Sequence, residues 1–286
     1  MIVAHTRAEL RAARAKLNSP VVLVPTMGAL HEGHRVLLRK ARELAGSGGA
    51  VAVSIFVNPL QFGPGEDLDR YPRTFPEDLE VCAAENVDLV FAPSARDMYP
   101  EEQLVTVDPG PAGEILEEEF RPGFFRGVLT VVLKLFSLVR PDTAVFGEKD
   151  AQQLALVRRM ASDFALGIEI ESVPTVRERD GLAASSRNKY LSAPERAVAP
   201  VLHAALAAGA ASASAGPRAV LDAARGVLND AGSAVSVDYV ELVEGGTFRL
   251  VRDDDYRGAA VLALAVRIGT TRLIDNVAVR FDAADN

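Results

Sequence analysis

The stretch Val21-Val22-Leu23-Val24-Pro25-Thr26-Met27-Gly28-Ala29-Leu30-His31-Glu32-Gly33-His34 constrains this chain more than any other. Four apolar, mostly β-branched residues open it, the pattern of a strand buried on both faces, as in a parallel sheet. Pro25 has no N–H to give a ladder and is expected to close that strand. The chain then runs into Arg35 to Leu44, where Leu37, Leu38, Ala41 and Leu44 recur at helical spacing. His31 and His34 therefore fall where a strand hands over to a helix N-terminus. Free N–H groups and the positive end of the helix dipole favour a phosphate there.

The same grammar repeats downstream. Val51 to Val57 reads as a second buried strand, ending in the turn-rich run Asn58 to Gly65. Further strands are expected at Val87 to Phe91, Thr143 to Phe146 and Ile168 to Val173. Thr6-Arg7-Ala8-Glu9 and Thr74-Phe75-Pro76-Glu77 have capping-box spacing and should start helices. Val128 to Val139 reads as a buried helix, and Gly147 to Asp150 should turn into a helix through about Phe164. Glu117-Glu118-Glu119 is expected on a solvated helix face. Strand and helix alternate, which argues for an α/β fold with a doubly wound parallel sheet.

After Pro174 the pattern changes. Alanine-rich helices are expected near 195–210 and 217–230, then three β-rich stretches near 235–243, 260–267 and 271–280. The expectation is a nucleotide-type α/β domain over 1–175 and a smaller α+β domain over 176–286, with the boundary between 174 and 186.

The formal net charge of −8 argues against a nucleic-acid surface, which needs a basic stripe. A single cysteine, Cys82, excludes an intrachain disulfide and reads as a small buried thiol in a reducing compartment. No secretory leader is evident and no apolar run is long enough to span a bilayer, so a cytoplasmic location is expected.

Four polar segments fall at strand carboxyl ends or soon after, where open parallel sheets bind ligands. They are Met27 to His34, Asn58 to Gln61, Gly147 to Asp150, and Thr175 onward to Ser185-Ser186-Arg187. Between them they carry His31, His34, Gln61, Lys149, Asp150, Gln153, Arg187 and two serine hydroxyls. Cationic and N–H donors dominate, which suits a polyphosphate developing charge during transfer. Each has a plainer alternative. Gly28 and Gly33 serve either as turn residues or to let a base or phosphate approach the backbone. Lys149 by itself is a surface lysine, and Ser185-Ser186-Arg187-Asn188 by itself is a helix cap. A zinc site at His31 and His34 lacks a third histidine or a cysteine. No P-loop, GxSxG or protein-kinase signature is present.

Four blocks in order resemble the pantothenate synthetase (pantoate–β-alanine ligase) family: Pro25 to His34, Phe56-Val57-Asn58-Pro59-Leu60-Gln61-Phe62, Phe146 to Gln153, and Asp180 to Asn188. The HxGH motif alone marks only the wider nucleotidyltransferase superfamily. The resemblance implies a Rossmann-like first domain, a C-terminal lid, and AMP-forming ligation of pantoate with β-alanine through a pantoyl adenylate, a step toward coenzyme A. It implies that Met27, Gly28, Ala29, Leu30, His31, Glu32, Gly33 and His34 line an ATP site, with His34 as proton donor and His31 beside the phosphates. It assigns Gln61 and Gln153 to pantoate, Gln61 also bordering β-alanine. Gly147, Glu148, Lys149 and Asp150 would contact ATP, Lys149 at the phosphates, with Val176, Ala184, Ser185, Ser186 and Arg187 closing over it. ATP would come with Mg²⁺, whose protein ligands are left open, and the chain would be a homodimer.

One block departs from the family. Where its members usually read Arg-Pro-Gly-His-Phe-Arg-Gly, this chain has Arg121-Pro122-Gly123-Phe124-Phe125-Arg126-Gly127. Phe124 keeps a ring but cannot donate a hydrogen bond, and the expectation is that Arg121 or Arg126 keeps most of the lost function. Ala184 also replaces a larger apolar residue. The alternatives are another adenylyl- or cytidylyltransferase, which Gln61 and Gln153 disfavour, and a nucleotide-binding regulator without turnover.

Overall fold

The computed structural model describes residues 1–282. The chain divides into two compact units. The first holds residues 1–148 and 156–174; the second holds 149–155 and the chain from 175 onward.

Six parallel strands make the sheet of the first unit: β1 Ile2–Ala4, β2 Val21–Thr26, β3 Ala50–Ile55, β4 Leu89–Phe91, β5 Thr143–Gly147 and β6 Glu169–Val173. Their order is β1-β4-β3-β2-β5-β6. The helices are α1 Arg7–Arg14, α2 Glu32–Ala45, α3 Phe75–Ala84, α4 Ala95–Met98, α5 Glu117–Phe120, α6 Phe124–Val139 and α7 Ala151–Asp163, of which residues 151–155 belong to the second unit. Val21 to Val24 are all 0% exposed, as the apolar run requires of a strand covered on both faces. Val22 and Val24 share one core with Leu38, Ala41 and Ala45 of α2, and with Val51, Val53, Val90 and Cys82. Burying each such large side chain stabilises by about 1.5–3 kcal/mol, and truncating Leu38 to alanine would cost about 2–5 kcal/mol. Burial also pushes the Cys82 thiol up to about 12, with the nearby Asp78 charge adding to the rise, so it behaves as a core residue.

From β2 the sheet grows one way through β3 and β4 and the other way through β5 and β6. The carboxyl ends of β2 and β5 thus flank the point where strand order reverses, the usual ligand crevice of such sheets.

The second unit has an antiparallel sheet in the order β7-β8-β9, with β7 Ser236–Glu244, β8 Gly258–Ile268 and β9 Thr271–Phe281. Helices α8 Ala193–Val198, α9 Val201–Ala211 and α10 Pro217–Asp230 accompany it. Leu202, Leu206, Val220 and Leu228 pack with Leu242, Leu262 and Leu264 in its core.

Four local expectations need correction. Pro25 does not close β2, which runs on to Thr26 with Pro25 opposite Ser54. Pairing with β5 involves Val22 and Leu23, so by Pro25 no ladder bond on that side is lost. Thr74 is the N-cap of α3 by position, yet its side chain makes no cap bond; its hydroxyl donates to Asp78 Oδ1 at 3.2 Å instead. The acidic run is not a solvated face throughout. Glu117 is buried, and Glu118 accepts the N–H groups of Gly123 and Phe125, capping α6 from outside. The helix expected at 195–210 is two helices, interrupted at Pro200. No helix among the described residues is long and apolar enough to cross a membrane.

Candidate active site

At the carboxyl end of β2 the chain turns through Gly28 at φ 84° and Ala29 at φ 52°, then enters α2. Its backbone donors are assigned one by one. Gly28 N–H goes to Thr26 Oγ1 at 3.2 Å. Ala29 and Leu30 donate to the two oxygens of Asp78, at 3.0 and 2.8 Å. Asp78 lies on α3, 2% exposed. A Cβ on residue 28 would lie 2.9 Å from Asp78 Oδ2, and φ 84° disfavours any side chain, so this position requires glycine for two reasons.

The two histidines complete the turn as a reciprocal cap. His31 is the N-cap residue, and its Nδ1 accepts Gly33 N–H at 3.1 Å. His34 Nδ1 accepts His31 N–H at 3.2 Å. A backbone N–H can only donate, so both Nδ1 atoms are unprotonated and each neutral ring carries its proton on Nε2. The ring centroids are 4.1 Å apart. The bonds that cap α2 thus also fix the tautomer of each ring. Glu32 turns away from this work, its carboxylate pairing with Arg39 at 2.8 Å.

Beyond β3, Gln61 is 8% exposed in a short turn. Asn58 Nδ2 donates to Gln61 Oε1 at 3.1 Å, and Gln61 Nε2 donates to Met27 Sδ at 3.0 Å. This ties the β3 turn to the β2 turn. Asn58 is held in its turn by the Tyr99 hydroxyl at 2.9 Å, a lasting donor because burial holds its ionisation well above the ordinary tyrosine value. After β5, Gly147 is half-buried, and Glu148 accepts the Ser172 hydroxyl of β6 at 2.8 Å. The first unit thus brings together Met27 to His34 and Gln61 by direct bonds, and sets Gly147 and Glu148 at the end of the strand next to β2.

The second unit holds the remaining predicted residues. The Lys149 carbonyl accepts Asn276 Nδ2 of β9 at 2.8 Å, while its ammonium lies 3.9 Å from Asp150. Gln153 is half-buried on α7. Next to Asn276, the 2%-exposed Asp275 receives Arg177 at 2.6 and 3.1 Å. Arg177 also reaches the Gly181 carbonyl, and Val176 O accepts Ala184 N–H at 2.8 Å, closing a tight turn. Ser185 Oγ accepts Arg187 N–H at 3.2 Å at the start of a single-turn helix from Ser186. Arg196 grips that turn through Glu178 and Asp180, lowering the Asp180 carboxyl and raising its own guanidinium.

A family model described as pantoate-beta-alanine ligase matches residues 2–278. The chain belongs to the pantoate–β-alanine ligase family. It is 62% identical to a pantothenate synthetase of Thermobifida fusca, over 96% of this chain and 95% of that one. A pantothenate synthetase structure from Thermus thermophilus superposes with a TM-score of 0.90 at 45% identity, covering 97% and 99% of the two chains. A pantoate-beta-alanine ligase from Francisella tularensis, solved with beta-gamma ATP and beta-alanine, matches with a TM-score of 0.80 at 34% identity, covering 97% of each chain. The resemblance read from the four sequence blocks holds, as does the α/β fold with its smaller antiparallel unit.

Sequence reasoning missed the residues that build this site without being expected to face a ligand. Asp78 is separated from Ala29 by 49 positions, and nothing in Pro76-Glu77-Asp78-Leu79 signals burial. Asp275 and Asn276 sit in a strand whose alternation is their sole mark.

Proposed function

We propose that this protein condenses (R)-pantoate with β-alanine at the expense of ATP, through a pantoyl adenylate, as a cytoplasmic homodimer. The observation that carries the reading is the pair His31 and His34, held as Nε2–H donors at the N-terminus of α2. In the first step pantoate's carboxylate oxygen attacks the α-phosphorus, and the bond to pyrophosphate breaks. Charge grows on the phosphoryl oxygens and the leaving group, and donors fixed in advance stabilise it without reorganisation. In the second step the free amine of β-alanine attacks the acyl carbon, and AMP leaves with the former carboxylate oxygen. Alkylamines titrate near ~10, so that amine must shed a proton before attack. Neither step requires a nucleophile from the protein; positioning and charge are the enzyme's contribution.

In this reading His34 is the proton donor and His31 attends the phosphates. Met27 to Leu30 and Gly33 line the nucleotide, and Glu32 takes part through its backbone, since its carboxylate is engaged by Arg39. Gln61 and Gln153 hold pantoate. Gly147 to Asp150, Val176, and Ala184 to Arg187 contribute to ATP binding, with Lys149 and Arg187 as cations. Among the described residues no group of three or more His, Cys, Asp or Glu side chains is placed to hold a metal ion. Mg²⁺ would arrive with the nucleotide, where it would neutralise the departing pyrophosphate. For the homodimer, sedimentation should give the mass of two 30.5 kDa chains.

Pantoate labelled with ¹⁸O in its carboxylate tests the chemistry. One labelled oxygen should appear in AMP for each pantothenate formed. Label in inorganic phosphate, with ADP as co-product, would instead mean an acyl phosphate and overturn the adenylate.

A further inference from the structure

Phe124 begins α6, held by Gly123 at φ 85° and by Glu118, which accepts the N–H groups on either side of it. The Arg121 guanidinium carbon lies 3.7 Å from the centre of the Phe124 ring. Arg121 is 9% exposed. Its Nε and Nη2 meet the Glu66 carboxylate at 3.1 and 2.7 Å, and Nη2 also donates to the Gln61 carbonyl at 3.2 Å. The charge of Arg121 is thus already balanced by Glu66, and its planar fork is stacked on the Phe124 ring. One turn along α6, Gly127 meets the same Gln61 turn: a Cβ there would fall 2.1 Å from Leu60 O. Arg126, by comparison, is exposed and lies 3.8 Å from Asp108.

We propose that Phe124 is a positioning residue, which clamps Arg121 by cation–π stacking so that Arg121 and Glu66 fix the Gln61 backbone. The Gln61 amide is then presented to pantoate in one orientation, set by Asn58 on its oxygen and Met27 on its nitrogen. The ring works through its face, so the missing hydrogen-bond donor at position 124 is replaced by a packing role and not by a second donor. The inference rests on the assignment of Gln61 to pantoate.

The test is a steady-state series on the full-length enzyme: Phe124→Leu, Phe124→Tyr, Phe124→His and Gln61→Ala. Phe124→Leu should raise KM for pantoate about three- to tenfold, leaving KM for ATP and kcat within about twofold. Phe124→Tyr, which keeps the aromatic face, should restore the native value. Phe124→His should resemble the native enzyme at pH ~8 and lose pantoate affinity below about pH 6.5, where an imidazolium would repel Arg121. That profile tests the idea even if Phe124→Leu fails to fold. An unchanged pantoate KM in Phe124→Leu, or a pH-independent Phe124→His, overturns the clamp while Gln61→Ala still weakens pantoate. An unchanged pantoate KM in Gln61→Ala overturns the Gln61 assignment, and the clamp with it.

Discussion

Asp78 holds the backbone of Ala29 from a helix 49 residues away, its buried Oδ2 accepting the Ala29 N–H at 3.0 Å. Oδ1 does the same for Leu30, so one carboxylate sets the residues that carry the chain from β2 into His31. The N–H groups of Ala29 and Leu30 are therefore consumed inside the protein and not offered at the surface of the turn.

Asp78→Asn replaces one of two acceptors with a donor that faces a backbone N–H. Stability should fall by about 1–3 kcal/mol, the cost of a buried donor left unpaired. Adenylate formation should fall at least about tenfold, because the histidines follow the turn. Urea denaturation and single-turnover assays measure the two losses. Activity near the native level in a destabilised protein would show that the turn does not depend on Asp78.

His31→Asn separates the cap from the chemistry. Asparagine is as good an N-cap residue as any, so melting should stay close to the native value. The Nε2–H donor is lost, and adenylate formation should drop about a hundredfold or more, the scale of one oxyanion donor. A drop in melting temperature together with preserved turnover would reverse this assignment.

Glu85 ends α3 and receives Arg39 at 2.8 and 3.0 Å and Arg35 at 3.0 Å, both from α2. Hydrogen bonding to Arg39, then to Arg35, holds its carboxyl below the ordinary glutamate value. A lowered carboxylate stabilises the fold fully above its unfolded value of ~4.3 and loses that contribution as pH falls through the folded one. Glu85→Gln should therefore be less stable than the native protein by about 1 kcal/mol near pH ~7, discounted because Arg39 is half exposed. The gap should close below pH ~4. A gap that stays constant across this range would assign the loss to packing.

Much of this architecture was legible in the sequence, for identifiable reasons. Val21 to Val24 could be read as a doubly covered strand because β-branched runs have few other uses, and the HxGH spacing located the helix start. Pro25 misled because its effect depends on which neighbour needs its N–H, a matter of pairing with β3 and β5. Glu118 looked like solvated charge because its partners, Gly123 and Phe125, supply backbone N–H groups that sequence chemistry does not display. Asp78 was invisible for the same reason. The reactive side chains carry distinctive chemistry, whereas the groups that orient them are ordinary residues made special by what folds against them.

Exchange of labelled pyrophosphate into ATP, with β-alanine absent, tests the central claim most directly. Exchange that requires pantoate, and that falls away in His31→Asn, is the predicted result. Exchange independent of pantoate, or none from enzyme that makes pantothenate once β-alanine is added, would contradict a pantoyl adenylate made at these histidines.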